Sequence, residues 1–402
     1  MPTASEQFDY ITRTVDVTLP EGALLSQLER SVETGVPLRA KLGVDPTAPD
    51  VTLGWAVVFD LLRRFQEMGH TAVLILGDFT AQVGDPSGKS STRNRLTDTE
   101  VNAYAERCLP TIKSLLLEEN LEIRRNSEWL GAMDMADVLK MTAGVTVSRL
   151  MDRDDFSARY KANESISLIE FMYPLLQATD SVAIRADVEI GGNDQLLNLL
   201  MGRDLQEQAG QRPQSVATVP LLVGTDGTKK MSQSIGNYIS VREDADEMFG
   251  KTMSIPDELM PQWFRLAAGS DLDEVARIET GLADGSLHPG EQKRLLARRI
   301  VERYHGDGSG DAAEAAFDQV FRQGGTPEEV PVAVLPAGDE IWLPGVLSDA
   351  GLVASNGEGR RLLRQGAVKI DGERQEQETV PRTLVEGAVV QVGKRRFVRF
   401  TA

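Results

Sequence analysis

The sequence is poor in the side chains that most often carry metals and redox chemistry: one cysteine, Cys108, and three histidines, His70, His288 and His305. A lone cysteine excludes an internal disulfide, and so few scattered ligands do not make a His/Cys zinc cluster. No bound metal cluster is expected, and Cys108 is expected to be buried and inert. Long apolar runs are missing as well. The first residues, MPTASEQFDYITRTVDV, have neither a basic start nor an apolar centre, so no membrane span and a cytoplasmic location are expected. Positive charge is the third shortage: 43 Lys and Arg stand against 61 Asp and Glu, a formal net charge of -18. A polyanion repels nucleic acid and anionic membrane alike, so any RNA contact has to be local.

What is present is a chain of 402 residues, 41% hydrophobic, long enough for about two to three domains. Its first part alternates short apolar runs with helical patterns. PLRAKLGV leads to WAVVFDLLRRFQEMG, then come TAVLILGDF and a helical stretch from Thr97 to Glu119; later SVAIRADVEI precedes NDQLLNLLMGRDLQEQAG, and SVATVPLLVG closes the series. Apolar runs separated by helices predict a parallel sheet buried on both faces, an α/β, Rossmann-like, doubly wound domain over residues 1–238. Residues 97–177 read as a mostly helical insertion beside the sheet. Residues 239–323 read as an α-helical domain, and the Gly/Pro/Glu-rich stretch 324–340 as a linker. Residues 341–402 read as a small α+β module with one helix, NGEGRRLLRQG, and strands in AVKIDGE, AVVQVG and RRFVRF. Only here does the charge balance reverse, with ten basic residues from Gly351 onward, among them Arg360, Arg361, Arg364 and Lys369, against six acidic ones.

Three stretches are candidates for chemistry. In GDFTAQVGDPSGKSSTRNRL, Gly84 and Gly88 enclose only Asp85, Pro86 and Ser87, one residue short of a Walker loop. The loop nonetheless follows an apolar strand, at the edge where α/β sheets bind ligands, so Lys89 and Arg93 can reach a polyphosphate and Asp85 an ammonium. A solvated surface loop is the alternative. In YPLLQATDSVAIRADVEIGGNDQ, Tyr173, Gln177 and Asp180 fall at i, i+4 and i+7 on one helix face. Polar groups converging there are costly unless they bind something: Asp180 can accept from a ligand hydroxyl, and Tyr173 and Gln177 can address an amino group. Gly191 and Gly192 then permit close backbone approach where Asp194 and Gln195 begin the next helix. Taken singly, Asp194 is equally a helix cap and Asp180 a helix-end turn residue. In GTDGTKKMSQSIGNYI, the loop 226–238 offers Lys229 and Lys230 to a triphosphate, or is an ordinary surface loop.

In order and spacing these pieces resemble the bacterial branch of the class I tyrosyl-tRNA synthetases. The likeness rests on KLGVDPTAPD before the first long helix, GDPSGKS, the YPLLQ to GGNDQ stretch, PLLVGTDGTKKMSQSIGNYI, and an S4-like RNA-binding module in SNGEGRRLLRQGAVKIDGE. It implies an amino-acid pocket of Asp85, Tyr173, Gln177, Asp180 and Gln195. ATP, with Mg2+ as its companion, would be surrounded by Asp45, Thr47, Gly54, Gly192, Asp194 and Leu222, while Lys89, Arg93 and Lys230 reach the phosphates and Lys230 acts in catalysis. It further implies a homodimer with the insertion at its interface, tRNA contact through Arg360, Arg361, Arg364 and Lys369, and attack of a tyrosine carboxylate on the α-phosphorus before acyl transfer to tRNA.

Both family signatures are altered. Where the family has His-x-Gly-His this chain has Thr52, Leu53, Gly54 and Trp55; where it has Lys-Met-Ser-Lys-Ser it has Lys230, Met231, Ser232, Gln233 and Ser234. Each lost preorganised donor typically costs about 10² to 10³ in rate, and groups that act as a unit are not additive. The expectation is therefore a tyrosine-binding ligase with weakened or altered ATP activation, serving tRNA or a substitute acceptor. The alternatives are a noncatalytic sensor of tyrosine, its adenylate or tRNA, and a biosynthetic enzyme reusing the pocket for other coupling chemistry. Trp55 is open to three readings: stacking on adenine, filling the phosphate space, or covering core.

Overall fold

A computed structural model of the chain describes residues 2–86, 96–321, 330–393 and 396–401. They form two compact units. One comprises residues up to Asp244 together with Lys251–Leu296, the other Ala245–Gly250 together with the residues from Ala297 onward.

The first unit is built on a six-stranded sheet of β1 (Val17–Leu19), β2 (Arg39–Val44), β3 (Thr71–Leu76), β4 (Leu121–Arg125), β5 (Val188–Gly192) and β6 (Ser215–Val219), in the order β1-β6-β5-β2-β3-β4. All neighbours run parallel except β1, which pairs antiparallel with β6. In β5 and β6 every residue is buried, and in β3 all but the first, as expected of strands covered by helices on both faces. Strand order reverses between β2 and β5, so the crevice at their carboxyl ends is where such a sheet binds ligands. The insertion is not helical throughout. Its LEIRR segment is β4, the sheet edge, legible only in three dimensions because all five residues are partly exposed and Arg39 clamps Glu122 at 2.7 Å.

Directly beneath the crevice lies a buried ion pair. Lys41 Nζ meets Glu189 Oε1 at 2.9 Å, with neither side chain exposed to solvent. Lys41 also donates to Ser181 Oγ at 2.8 Å and the Gln177 carbonyl at 2.9 Å, while Glu189 accepts from Ser181 and Gln214. Removing one partner leaves an uncompensated buried charge. Lys41→Met is expected to destabilise the fold by about 3–5 kcal/mol, and Lys41→Met with Glu189→Gln by less; chemical denaturation of both variants checks the order.

Residues 251–296 contribute helices to the first unit, including Met260–Leu266, whose Trp263 Nε1 donates to the Val223 carbonyl at 3.1 Å and fixes the loop after β6. The second unit holds helices up to Phe321 and a C-terminal module. In the module β7 (Val332–Val334), β9 (Val368–Ile370), β10 (Glu373–Arg374), β12 (Val389–Val392) and β13 (Arg396–Thr401) form one sheet, and β8 (Glu340–Trp342) pairs with β11 (Thr379–Pro381). The expected linker is therefore partly structural: Val332–Val334 runs parallel to β13 and Leu335 joins the core. Among the described residues no helix is long and apolar enough to cross a membrane, and no cluster of three or more His, Cys, Asp and Glu residues could hold a metal ion. Cys108 is buried, and burial beside Asp50 pushes its thiol up to about 11.

Candidate active site at the switch-point crevice

The chain leaves β2 at Asp45, β3 at Gly77, β4 at Asn126 and β5 at Asn193, so four strand ends deliver polar groups to one crevice. Asp45 accepts from Thr80 Oγ1 at 2.7 Å and from the Tyr173 hydroxyl at 2.9 Å. Gly77 is required there, since a Cβ would stand 2.0 Å from Asp45 Oδ1 and 2.3 Å from Thr80 Oγ1. Asn126 Nδ2 bridges Thr80 Oγ1 at 3.0 Å and Asp180 Oδ2 at 3.4 Å, and Trp129 Nε1 donates to Asp180 Oδ1 at 2.8 Å. Both oxygens of a buried carboxylate thus face donors, leaving lone pairs that can accept a further hydroxyl.

The helix Leu168–Ile184 carries Tyr173, Gln177 and Asp180, all buried, on the face the spacing predicts. Gln177 Nε2 donates to Glu189 at 3.1 Å and its oxygen accepts from Asn198 Nδ2 at 3.2 Å. Asn198 also donates to Gln195 at 2.9 Å, and Gln195 Nε2 reaches Asp85 at 2.8 Å. The five expected pocket residues are therefore brought together, through partners that the sequence did not mark: Asn126, Trp129, Thr80 and Asn198, the last with its oxygen held by Arg153. Asn126 and Trp129 lie in the stretch read as a helical insertion, and their partner Asp180 is more than fifty residues further along the chain, so no local signal marks them.

Burial raises the Asp45 carboxyl to about 7; nearby Asp85 and Asp180 add to the rise, and the Thr80 and Tyr173 hydroxyls oppose it. Burial likewise raises Asp180 to about 7 against the charge of Lys41 and the donors Trp129 and Asn126. Tyr173 is pushed well above its ordinary value by burial and then by the carboxylates around it, so its hydroxyl stays a donor. A carboxyl whose folded value is raised contributes stability at low pH that is lost as pH climbs through about 7. Binding runs the other way. A phenol hydroxyl donates better to the Asp180 carboxylate than to its acid, so the affinity for a tyrosine-like ligand is expected to rise several-fold between about pH 6 and pH 8. Calorimetry across that range checks it, and a flat profile contradicts it.

At the other end of the crevice lie the altered signatures. The helix Leu53–Glu67 starts at Thr52, whose side chain accepts from the Trp55 amide at 3.3 Å, and Leu53 N donates to the Ile239 carbonyl at 2.9 Å. The Trp55 ring packs edge-on against Phe59, 6.5 Å away at 63°, and is half-buried. Met231 lies over Gly54, where a Cβ would be 3.4 Å from its own. Gln233 faces the loop before the helix: its Nε2 donates to the Asp50 carbonyl at 2.6 Å and its oxygen accepts from Asp50 N at 3.3 Å. The Tyr238 hydroxyl adds a bond to the Asp50 carboxylate at 3.0 Å. Lys230 reaches Asp194 at 2.7 Å, beside Gly192, whose missing Cβ makes room for Leu221. Leu222 is buried, with its carbonyl on Met231 N, and Thr47 N bonds back to the Asp45 carbonyl at 2.8 Å. Lys89 and Arg93 lie outside the described residues.

In the C-terminal module Arg360, Arg361 and Arg364 are exposed on the helix Asn356–Arg364, and Lys369 is half-buried on β9. Arg360 donates to Glu378 at 2.9 Å and lies 5.4 Å over the Trp342 ring; Arg364 approaches the same carboxylate at 3.7 Å. One acidic residue thus tempers two of the four expected cations.

A parallel sheet with an acidic, hydroxyl-accepting pocket on one side of its switch point and a glycine-opened helix start on the other is the arrangement of a class I aminoacyl-tRNA synthetase. Residues 33–322 match the family described as tRNA synthetases class I (W and Y). A tyrosine--tRNA ligase from Moorella thermoacetica is 48% identical over 395 residues, covering 98% of this chain and 95% of the relative. One from Geobacter sulfurreducens is 46% identical over 398 residues, 99% of each. The crystal structure of tyrosyl-tRNA synthetase complexed with L-tyrosine from Archaeoglobus fulgidus superposes with a TM-score of 0.62 at 25% identity, over 78% of this chain and 99% of that one. The chain belongs to the class I tyrosyl-tRNA synthetase family.

Proposed function

We propose that the protein binds tyrosine or a close phenolic analogue, with Asp180 accepting from the phenol, and slowly activates it with ATP: its carboxylate attacks the α-phosphorus, pyrophosphate leaves, and the aminoacyl-adenylate passes its acyl group to tRNA or a substitute acceptor. Asp85, Tyr173, Gln177 and Gln195 hold the ammonium and carboxylate. Asp45, Thr47, Gly54, Gly192, Asp194 and Leu222 surround ATP, which enters with Mg2+ as substrate. Lys230, with Lys89 and Arg93, meets the phosphates.

One observation carries the weakened activation. Gln233, standing where the family has the second signature lysine, spends its amide on the backbone of Asp50. A neutral side chain so engaged supplies no charge to departing phosphates, and Thr52 and Trp55 supply no imidazole. Tyrosine-dependent exchange of pyrophosphate into ATP tests the reading: slow exchange, visible at high enzyme concentration and absent with phenylalanine, is expected. The same clasp favours a second reading, a noncatalytic tyrosine binder. Calorimetric binding of tyrosine with no exchange would select it, and failure to bind tyrosine would overturn both.

The partners follow the family reading. Met135, Leu139, Val147, Tyr160 and Leu168 are exposed apolar side chains on the insertion, which supports a homodimer formed there. The exposed arginines of the C-terminal module, on a chain that otherwise repels polyanions, support tRNA contact through residues 341–402 in a cytoplasmic protein.

A further inference from the structure

The amides lining the amino-acid pocket are wired between groups that leave them no choice of direction. A carboxamide presents a donor at one end and an acceptor at the other, and its neighbours decide which way it faces. At one end of this network stand two carboxylates, which as anions only accept: Glu189 takes a bond from Gln177 Nε2 at 3.1 Å and Asp85 one from Gln195 Nε2 at 2.8 Å. At the other stands Arg153, which only donates: its Nη1 gives to Asn198 Oδ1 at 2.8 Å. Asn198 sits between. With its oxygen held by the guanidinium, its Nδ2 must face the two glutamine oxygens, at 3.2 Å for Gln177 and 2.9 Å for Gln195.

Arg153 is itself rigidly placed. It precedes the insertion helix Asp154–Lys161, is paired with Asp155 at 3.0 and 2.8 Å, and stacks 4.6 Å over the Phe156 ring. Asn198 is 1% and Arg153 6% exposed, so water does not compete for these bonds.

Resting on the reading that the pocket takes a tyrosine-like amino acid, we propose that Asn198, oriented by Arg153, is a positioning residue that holds the carbonyl oxygens of Gln177 and Gln195 in place as acceptors for the ligand ammonium. Each oxygen has two lone pairs, so one serves Asn198 and the other faces a ligand. Glu189 and Asp85 hold the Nε2 ends whether or not Asn198 is present; without Asn198 each glutamine oxygen loses its second anchor, and the amide can swing about the bond to its carboxylate, away from the ammonium.

Calorimetric titration of wild type, Asn198→Ala and Arg153→Met with tyrosine, tyramine and 3-(4-hydroxyphenyl)propionate, which lacks the ammonium, tests this. Asn198→Ala is expected to weaken tyrosine and tyramine by about 10- to 100-fold and the propionate by less than about threefold; Arg153→Met should follow the same pattern with about a tenfold loss. An unchanged ratio of tyrosine to propionate affinity in both variants overturns the proposal. So does an equal loss for all three ligands, the mark of a packing defect. If wild type binds tyrosine no better than the propionate, the amino-acid pocket reading itself falls, and the proposal with it.

Discussion

Replacing Asp180 by asparagine is expected to bring tyrosine affinity to within about tenfold of that for phenylalanine, from a preference of about 10⁴ or more in the wild type. The magnitude comes from the geometry. Asp180 is 2% exposed and each oxygen already faces an N–H, from Trp129 at 2.8 Å and from Asn126 at 3.4 Å. An asparagine can offer only one oxygen. Its NH2 must then oppose one of those donors, so the variant loses both the acceptor for the phenol and part of the network that held it. Phenylalanine has no hydroxyl and should lose little. Titration of the variant with both amino acids checks the result; a retained tyrosine preference would move hydroxyl recognition away from Asp180.

The triple change Thr52→His, Trp55→His and Gln233→Lys is expected to raise tyrosine-dependent pyrophosphate exchange by about 10² or more. Lysine at 233 cannot accept from Asp50 N, so the bond pair between the loop and Asp50 opens while a cation becomes available to the phosphates. The gain should exceed that of any single change, because the groups act as a unit. Loss of the Trp55–Phe59 contact costs about 1 kcal/mol of stability, which thermal unfolding would register. No gain in exchange would place the divergence deeper than the two signatures.

The sheet was legible where strands are buried on both faces, because TAVLIL and SVATV are then continuous apolar runs. It was not legible at LEIRR, whose charges look outward to Arg39 and Glu128, nor at VTL, an antiparallel strand of three residues. VAV in the expected linker escaped for the same reason: two of its three residues are exposed, and its order comes from pairing with β13. In the site, Tyr173, Gln177 and Asp180 declared themselves by helical spacing. Asn126 and Trp129 did not, since their bonds to Asp180 span more than fifty residues of chain. The burial of Lys41 inside the run PLRAKLGV was not legible either, because its partner Glu189 comes from a neighbouring strand. Trp55 was open to three readings, and its ring makes an edge contact on Phe59 of its own helix.

The proposed function requires a tyrosine pocket kept intact beside an altered phosphate site. Calorimetric titration of the wild-type protein with tyrosine and with phenylalanine, without ATP, tests that most directly. Saturable binding of tyrosine with no detectable binding of phenylalanine is the predicted result; equal affinity for the two, or binding of neither, would contradict it.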